Sequence, residues 1–303
     1  MKRYWLTILL AALLPTLALA ANNDDETLKV GRDERHYLIH DYSAGEPTAL
    51  VILLHGGGGS GTNMAEQTGF DAVAKREHLI TVYPFGSGRL SDDKLLTWNA
   101  VHCCAYAMKE KIDDVKFLSQ LIDHLIATRK VDPNRVYLTG LSNGGMMTHT
   151  AGIALHARLA AIAPVISSLW GDEAAQTFTL PVLIINGAID DRVVPQGGEL
   201  KGLAIGPKPA DKPTLPITSQ RDYWSKVNGC SEFKDETTGA YSLRRYTDCK
   251  HGSEVLAYVV NDNGHAWPGG TQPRRQAAKP TKAFDANEVI WEFFKQHVRQ
   301  SAQ

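Results

Sequence analysis

The chain has no basic block and no surplus of either charge: 32 Lys and Arg stand against 33 Asp and Glu. That balance argues against a nucleic-acid partner. After Leu19 no stretch reaches the roughly 18 apolar residues of a membrane span. There are only four cysteines, Cys103, Cys104, Cys230 and Cys249. Neither pair has the two-to-four-residue gap that zinc ligands favour, so no metal site is expected. The one glycine run, Gly56 to Gly59, lacks the Gly-Lys-Ser/Thr ending of a phosphate-binding loop. No internal repeat and no linker interrupts the chain.

What is present begins with an address. Lys2 and Arg3 precede an apolar run from Tyr4 to Leu19 that ends in Ala18-Leu-Ala20 and then turns polar. This is the pattern of a secretory signal peptide over residues 1–20, cut after Ala20. Pro15 and the small-x-small end favour cleavage over a retained membrane anchor. The expected mature chain, 21–303, then carries 30 basic and 33 acidic residues, a formal charge of −3. In an exported chain disulfides persist. A Cys230–Cys249 bridge would close a loop of about 20 residues and contribute about 3 kcal/mol, leaving Cys103 and Cys104 as a vicinal ring or as free thiols. Four cysteines allow three pairings, and spacing alone does not choose among them.

Apolar runs of strand length at Ala49–Leu54, Leu79–Tyr83, Arg135–Thr139, Ala160–Ile166, Pro181–Asn186 and Glu254–Val260 alternate with helical segments at Asn63–Lys75, Ile112–Lys130, Ile217–Val227 and Asn287–Val298. A further, edge strand is expected at His36–Tyr42. Such alternation predicts an α/β fold, a mostly parallel central sheet covered by helices on both faces. Asp113 and Asp114, in the first turn of the second helix, are read as structural. Residues 85–111 and 195–216 are long irregular loops.

The chemistry gathers at strand ends. Gly140-Leu-Ser142-Asn-Gly144 follows an apolar strand and precedes a helix, the arrangement of a nucleophile elbow. The motif also occurs by chance, and the lesser alternative is that Ser142 is a helix N-cap. A serine hydroxyl needs a base to take its proton, and His265 lies in a glycine-flanked loop after another strand. An acid must orient that imidazole, and Asp190 or Asp191, both following a strand, could do so. The order Ser, Asp, His is that of α/β-hydrolase triads. Two backbone N–H groups should meet the developing oxyanion: that of Asn143, and one from the glycine run, Gly57 or Gly58. Binding sites of such sheets lie beyond the carboxyl ends of the strands, where all these residues fall.

From about His36 to Val298 the chain resembles the secreted polyhydroxybutyrate depolymerase and feruloyl esterase group of α/β-hydrolases. The resemblance rests on Leu54-His-Gly-Gly-Gly-Gly-Ser60, Trp98-Asn99 with Cys103-Cys104, Asp113-Asp-Val115 and Gly140-Leu-Ser-Asn-Gly-Gly145. It extends through Gly187-Ala-Ile-Asp190 with Val193-Val-Pro195, Trp224 through Cys230, and Gly264-His-Ala-Trp-Pro-Gly-Gly270. It implies Ser142, Asp190 and His265 as the triad, although Asn186-Gly-Ala-Ile-Asp190 departs from the family's usual His-Gly-Thr-x-Asp. It also implies hydrolysis of carboxylic esters through an acyl-enzyme with no cofactor. The substrates implied are hydroxybutyrate oligomers, or feruloyl and acetyl esters of polysaccharides. Without a separate polymer-binding domain, soluble or oligomeric esters are expected as partners rather than solid polymer. Trp98 and Trp267 are candidates to stack on an aromatic acyl group or a sugar, with a place in the core as the alternative for either. The rival readings are a serine peptidase on the same fold and a non-catalytic binding protein.

Overall fold

The computed structural model describes residues 22–90, 94–201, 209–272 and 277–299; the expected signal peptide lies outside the described residues. Two antiparallel strands open the fold, β1 (Asn22–Val30) and β2 (Asp33–Asp41). There follow β3 (Thr48–Leu54), α1 (Gly61–Thr68), α2 (Asp71–Glu77), β4 (Ile80–Pro84), α3 (Ala105–Lys109), α4 (Asp114–Thr128), β5 (Val131–Leu141), α5 (Asn143–Ala154), β6 (Ala161–Val165) and β7 (Val182–Gly187). The chain closes with α6 (Thr218–Val227), β8 (Glu232–Thr237), β9 (Tyr241–Thr247), β10 (Val255–Val260) and α7 (Ala286–Phe294).

All ten strands form one sheet in the order β1-β2-β4-β3-β5-β6-β7-β10-β9-β8. Its centre, from β4 to β10, is parallel. Antiparallel strands extend it at both margins. The expected α/β architecture is therefore present, and β3 explains why. All seven of its residues are buried, because successive side chains enter cores on opposite faces. Leu50, Ile52 and Leu54 join the cluster that holds α4, α5 and α6, whereas Ala49, Val51 and Leu53 join the one that holds α1, α2 and α7.

Three local readings change. The single helix expected over Asn63–Lys75 is two, broken at Gly69, whose φ of 62° ends α1 in a left-handed turn. The polar N-terminal segment is the edge strand β1, which moves the strand at His36–Tyr42 one place inward. The stretch between Cys230 and Cys249 is a hairpin, β8 and β9; every residue of β8 is exposed, so no apolar alternation marks it. Asp113 caps α4 by accepting from the Lys116 N–H at 3.0 Å.

Both cysteine pairs are joined, Cys103 to Cys104 and Cys230 to Cys249. The second ties the end of α6 to the end of β9. Replacing Cys230 and Cys249 together by alanine is expected to lower unfolding stability by about 3 kcal/mol, from the entropy of the loop they close. Urea denaturation checks this; an unchanged midpoint would mean that β8 and β9 hold the loop without the bridge.

Candidate active site

The turn from β5 into α5 is forced by backbone contact. A Cβ on Gly140 would lie 2.5 Å from the Gly144 carbonyl oxygen, and one on Gly144 would lie 2.5 Å from that of His55. Only glycine lets these segments meet. Between them Ser142 takes φ 56° and ψ −118°, a positive-φ conformation costly for a residue with a side chain. Its N–H donates to Val165 O at 2.9 Å and its carbonyl accepts from the Met146 N–H at 2.8 Å. The hydroxyl makes no capping bond to the helix, so the N-cap alternative does not describe this serine.

His265 and Asp190 meet across the ends of β10 and β7. His265 Nδ1 donates to Asp190 Oδ2 at 2.9 Å. Asp190 is buried and also accepts from the backbone N–H groups of Arg192 at 2.8 Å and Val193 at 3.0 Å. Asp191, its neighbour, is exposed. The histidine loop is shaped by Asn263, which is fully buried. Its side-chain amide donates to Gly264 O at 2.9 Å and Ala266 O at 2.8 Å, and its oxygen accepts from the Thr281 N–H at 3.1 Å.

Of the glycine run, the Gly58 N–H is committed to Leu96 O at 2.8 Å and that of Gly59 to Gly56 O at 3.0 Å. Among the described residues, the N–H groups of Gly57 and Asn143 have no backbone acceptor. Asn143 stands first in α5, where helical N–H groups lack a partner within the helix. Its side chain has a separate task. Oδ1 accepts from the Trp98 N–H at 2.8 Å and Nδ2 donates to Trp98 O at 3.0 Å, so the amide clips the 85–111 loop to the elbow.

That loop is anchored from below as well. Asp114, buried beneath it, accepts from Arg35 Nη2 at 2.8 Å and from the Asn99 N–H at 2.7 Å. Burial raises its carboxyl pKa, opposed by Arg35. A buried carboxylate that has lost water needs such partners.

Trp98 and Trp267 correct an expectation. Both are wholly buried, and both indole N–H groups are spent, on His55 O at 3.0 Å and on Asn287 Oδ1 at 2.9 Å. Neither offers a face to a substrate. Trp98 instead packs against His55 with ring centroids 4.9 Å apart.

Two buried histidines were given no role by the sequence, His55 at the head of the glycine run and His149 in α5. His55 Nδ1 donates to Gly56 O at 2.8 Å while Nε2 accepts from the Gly86 N–H at 2.9 Å. His149 Nδ1 accepts from Trp224 Nε1 at 2.9 Å while Nε2 donates to Gln220 Oε1 at 2.7 Å. Each ring is thus neutral, with one donor and one acceptor nitrogen. Burial lowers both pKa values from 6.5 to about 4, the Gly56 and Gln220 hydrogen bonds opposing it.

The comparisons place this architecture. Residues 41–195 match the phospholipase/carboxylesterase family. A putative esterase, NocK, of Nocardia uniformis subsp. tsuyamanensis is 30% identical over 271 residues, 83% of this chain and 76% of that protein. Feruloyl esterase B of Piromyces equi is 31% identical over 176 residues, 56% of this chain but only 31% of that protein. Among solved structures, the acetyl xylan esterase from Aspergillus awamori shares the fold, with a TM-score of 0.57 at 14% identity, over 91% of this chain and 98% of that one. The chain belongs to the phospholipase/carboxylesterase family of α/β-hydrolases.

The two neutral histidines make stability depend on acid. Unfolded, each takes a proton near its ordinary pKa; folded, each resists protonation until about 4. Their effect on stability is therefore nil above about pH 6.5, and the cost to the fold grows as pH falls towards 4, to the order of 3 kcal/mol per ring. Urea midpoints measured from pH 7.5 to 4.5 should fall steadily, and less steeply in His149→Gln. An identical slope in that variant would remove His149 from the account.

Proposed function

We propose that the protein is a secreted serine esterase that hydrolyses carboxylic esters through an acyl-enzyme, with Ser142 as nucleophile, His265 as base and Asp190 as its orienting acid. The observation that carries this reading is the strained, uncapped Ser142 at the apex of the β5–α5 turn. Its companion is the His265–Asp190 contact of 2.9 Å at the same sheet edge.

In this mechanism Ser142 Oγ attacks the ester carbonyl carbon as His265 Nε2 takes the hydroxyl proton. Asp190 holds Nδ1 protonated and stabilises the imidazolium that forms. The carbonyl oxygen becomes an oxyanion that receives the N–H groups of Asn143 and Gly57. Collapse breaks the bond to the alcohol oxygen, which leaves with the proton from His265. Water, activated by the same ring, then attacks the acyl-serine; acid and Ser142 are released. The hydrogen bond that passes this proton from Ser142 to His265 is of the kind that often tightens only with substrate bound.

The names of similar proteins support the substrate class. Besides the feruloyl esterase they include a bifunctional acetylxylan esterase/xylanase of Neocallimastix patriciarum and a poly(3-hydroxyalkanoate) depolymerase of Paucimonas lemoignei. Feruloyl or acetyl polysaccharide esters and hydroxybutyrate oligomers are accordingly the proposed substrates. The leader-like N-terminus and the two disulfides support export, to the periplasm or beyond the cell.

Assays on 4-nitrophenyl acetate, 4-nitrophenyl butyrate, methyl ferulate and a peptide 4-nitroanilide test the proposal. Ester turnover is expected, with little on the amide. Ser142→Ala should lose about 10⁴-fold or more in kcat, and Asp190→Asn about 10³- to 10⁴-fold. Since the base works only while its ring is neutral, activity should also fall on acidification. Full ester turnover by Ser142→Ala would end the proposal; preferential cleavage of the amide would turn it towards a peptidase.

A further inference from the structure

The two proposed oxyanion donors sit on segments far apart in the chain. Gly57 follows β3, and Asn143 opens α5. Chain connectivity does not set the distance between their N–H groups, yet both must reach one oxygen as it gains charge. A third segment, from Leu96 to Trp98 in the loop after β4, is bonded to both sides.

Trp98 holds the Asn143 side through its backbone. Its N–H donates to Asn143 Oδ1 at 2.8 Å and its carbonyl accepts from Nδ2 at 3.0 Å. The same carbonyl accepts from the Cys104 N–H at 2.9 Å, which fixes it from behind. Trp98 holds the glycine side through its ring. The indole N–H donates to His55 O at 3.0 Å, and the ring packs against the His55 imidazole. Two residues earlier, Leu96 accepts from the Gly58 N–H at 2.8 Å and donates to Gly59 O at 3.3 Å.

From His55 the constraint passes to Gly57 through one peptide unit. The Gly56 carbonyl accepts from His55 Nδ1 at 2.8 Å and from the Gly59 N–H at 3.0 Å. In a planar trans peptide the C=O of Gly56 and the N–H of Gly57 point in opposite directions. Fixing the carbonyl end therefore aims the N–H end. The imidazole is itself held by the Gly86 N–H, which donates to Nε2 at 2.9 Å, and by the indole packed against it.

We infer that Trp98 is the positioning residue of the oxyanion hole, setting the Gly57 N–H against that of Asn143 through its indole on one side and its backbone on the other. This role rests on the esterase reading above, and Trp98, wholly buried, performs it without touching substrate. It acts on the charged intermediate more than on the bound ester, because the oxyanion forms only as the acyl carbon becomes tetrahedral.

Trp98→Phe keeps a ring against His55 and removes the indole N–H. On 4-nitrophenyl butyrate its kcat should fall about 10- to 100-fold, while KM changes less than about threefold. A pair of ketones isolates the oxyanion. Ser142 Oγ bonds to the carbonyl carbon of butyl trifluoromethyl ketone, its proton passes to His265, and the ketone oxygen becomes an oxyanion. Butyl methyl ketone binds through its chain with little such addition. Inhibition by the trifluoromethyl ketone should weaken by the same factor as kcat, and inhibition by the methyl ketone should not change. Asn143→Ala retains its backbone N–H and only releases Trp98, so it should give the same signature, and it decides the matter if Trp98→Phe does not fold. Combined, the two should cost little more than either alone, since both act through one residue. Trp224→Phe removes an equally buried indole N–H bond in α6, to His149 Nδ1 at 2.9 Å. It should lower the urea midpoint but leave kcat and ketone inhibition within about twofold of wild type. A kcat within about twofold of wild type in the folded variants, equal weakening of both ketones, or the same signature in Trp224→Phe overturns the inference. Failure of the esterase reading is separately visible, as absence of wild-type turnover on 4-nitrophenyl butyrate.

Discussion

The structure depends on one close approach of backbones. Where β5 turns into α5, Gly140 and Gly144 press against each other and against the end of β3, at distances no Cβ would permit. This contact puts Ser142 in a conformation that costs about 1 to 3 kcal/mol for a residue with a side chain. The cost is held by the parallel strands on either side and by the bond from Ser142 N–H to Val165 O. The same contact fixes the height of the chain leaving β3, so that the glycine run after His55 lies beside the start of α5. A bulkier residue at either glycine would separate the proposed nucleophile from its proposed oxyanion donors together.

Around that contact the loops are held by buried polar groups with their hydrogen bonds satisfied. Asn143 grips Trp98, Asn263 shapes the turn that carries His265, and Asp114 with Arg35 supports Asn99 from beneath. His149, Gln220 and Ser167 connect α5, α6 and the end of β6: Gln220 Nε2 donates to Ser167 O at 2.8 Å, and Ser167 Oγ donates to Gln220 Oε1 at 3.0 Å. In the low dielectric of the interior an unpaired polar group is costly, so a complete set of partners specifies one loop conformation over its alternatives. The loop after β4 is therefore pinned by hydrogen bonds at Trp98, where it meets the elbow, and open to solvent at Leu90 and Leu95.

The parts of the fold legible from the chain were those whose hydrophobic pattern is strong. Strands buried on both faces, such as β3 and β7, read as unbroken apolar runs, and α4 shows its apolar stripe at helical spacing. Three strands escaped notice, β1, β8 and β9, of which β1 and β8 are polar edges. Charged side chains there discourage pairing with another chain, and they also erase the alternation by which a strand is recognised. The place of the two tryptophans was undecided in the sequence for a related reason. An aromatic residue beside a motif has the same local sequence whether its ring faces a substrate or the core, and only the packing around it decides.

By itself the sequence determined the class of architecture and the residues at which chemistry could occur, because strand period, turn glycines and the Ser, Asp, His order are local properties written along the chain. The tertiary structure decided what depends on distance. It set Asp190 rather than Asp191 against His265, left the N–H of Gly57 without a backbone acceptor while committing that of Gly58, and buried Trp98 and Trp267. These outcomes follow from which segments the sheet brings side by side, and residues far apart in sequence carry no local mark of becoming neighbours.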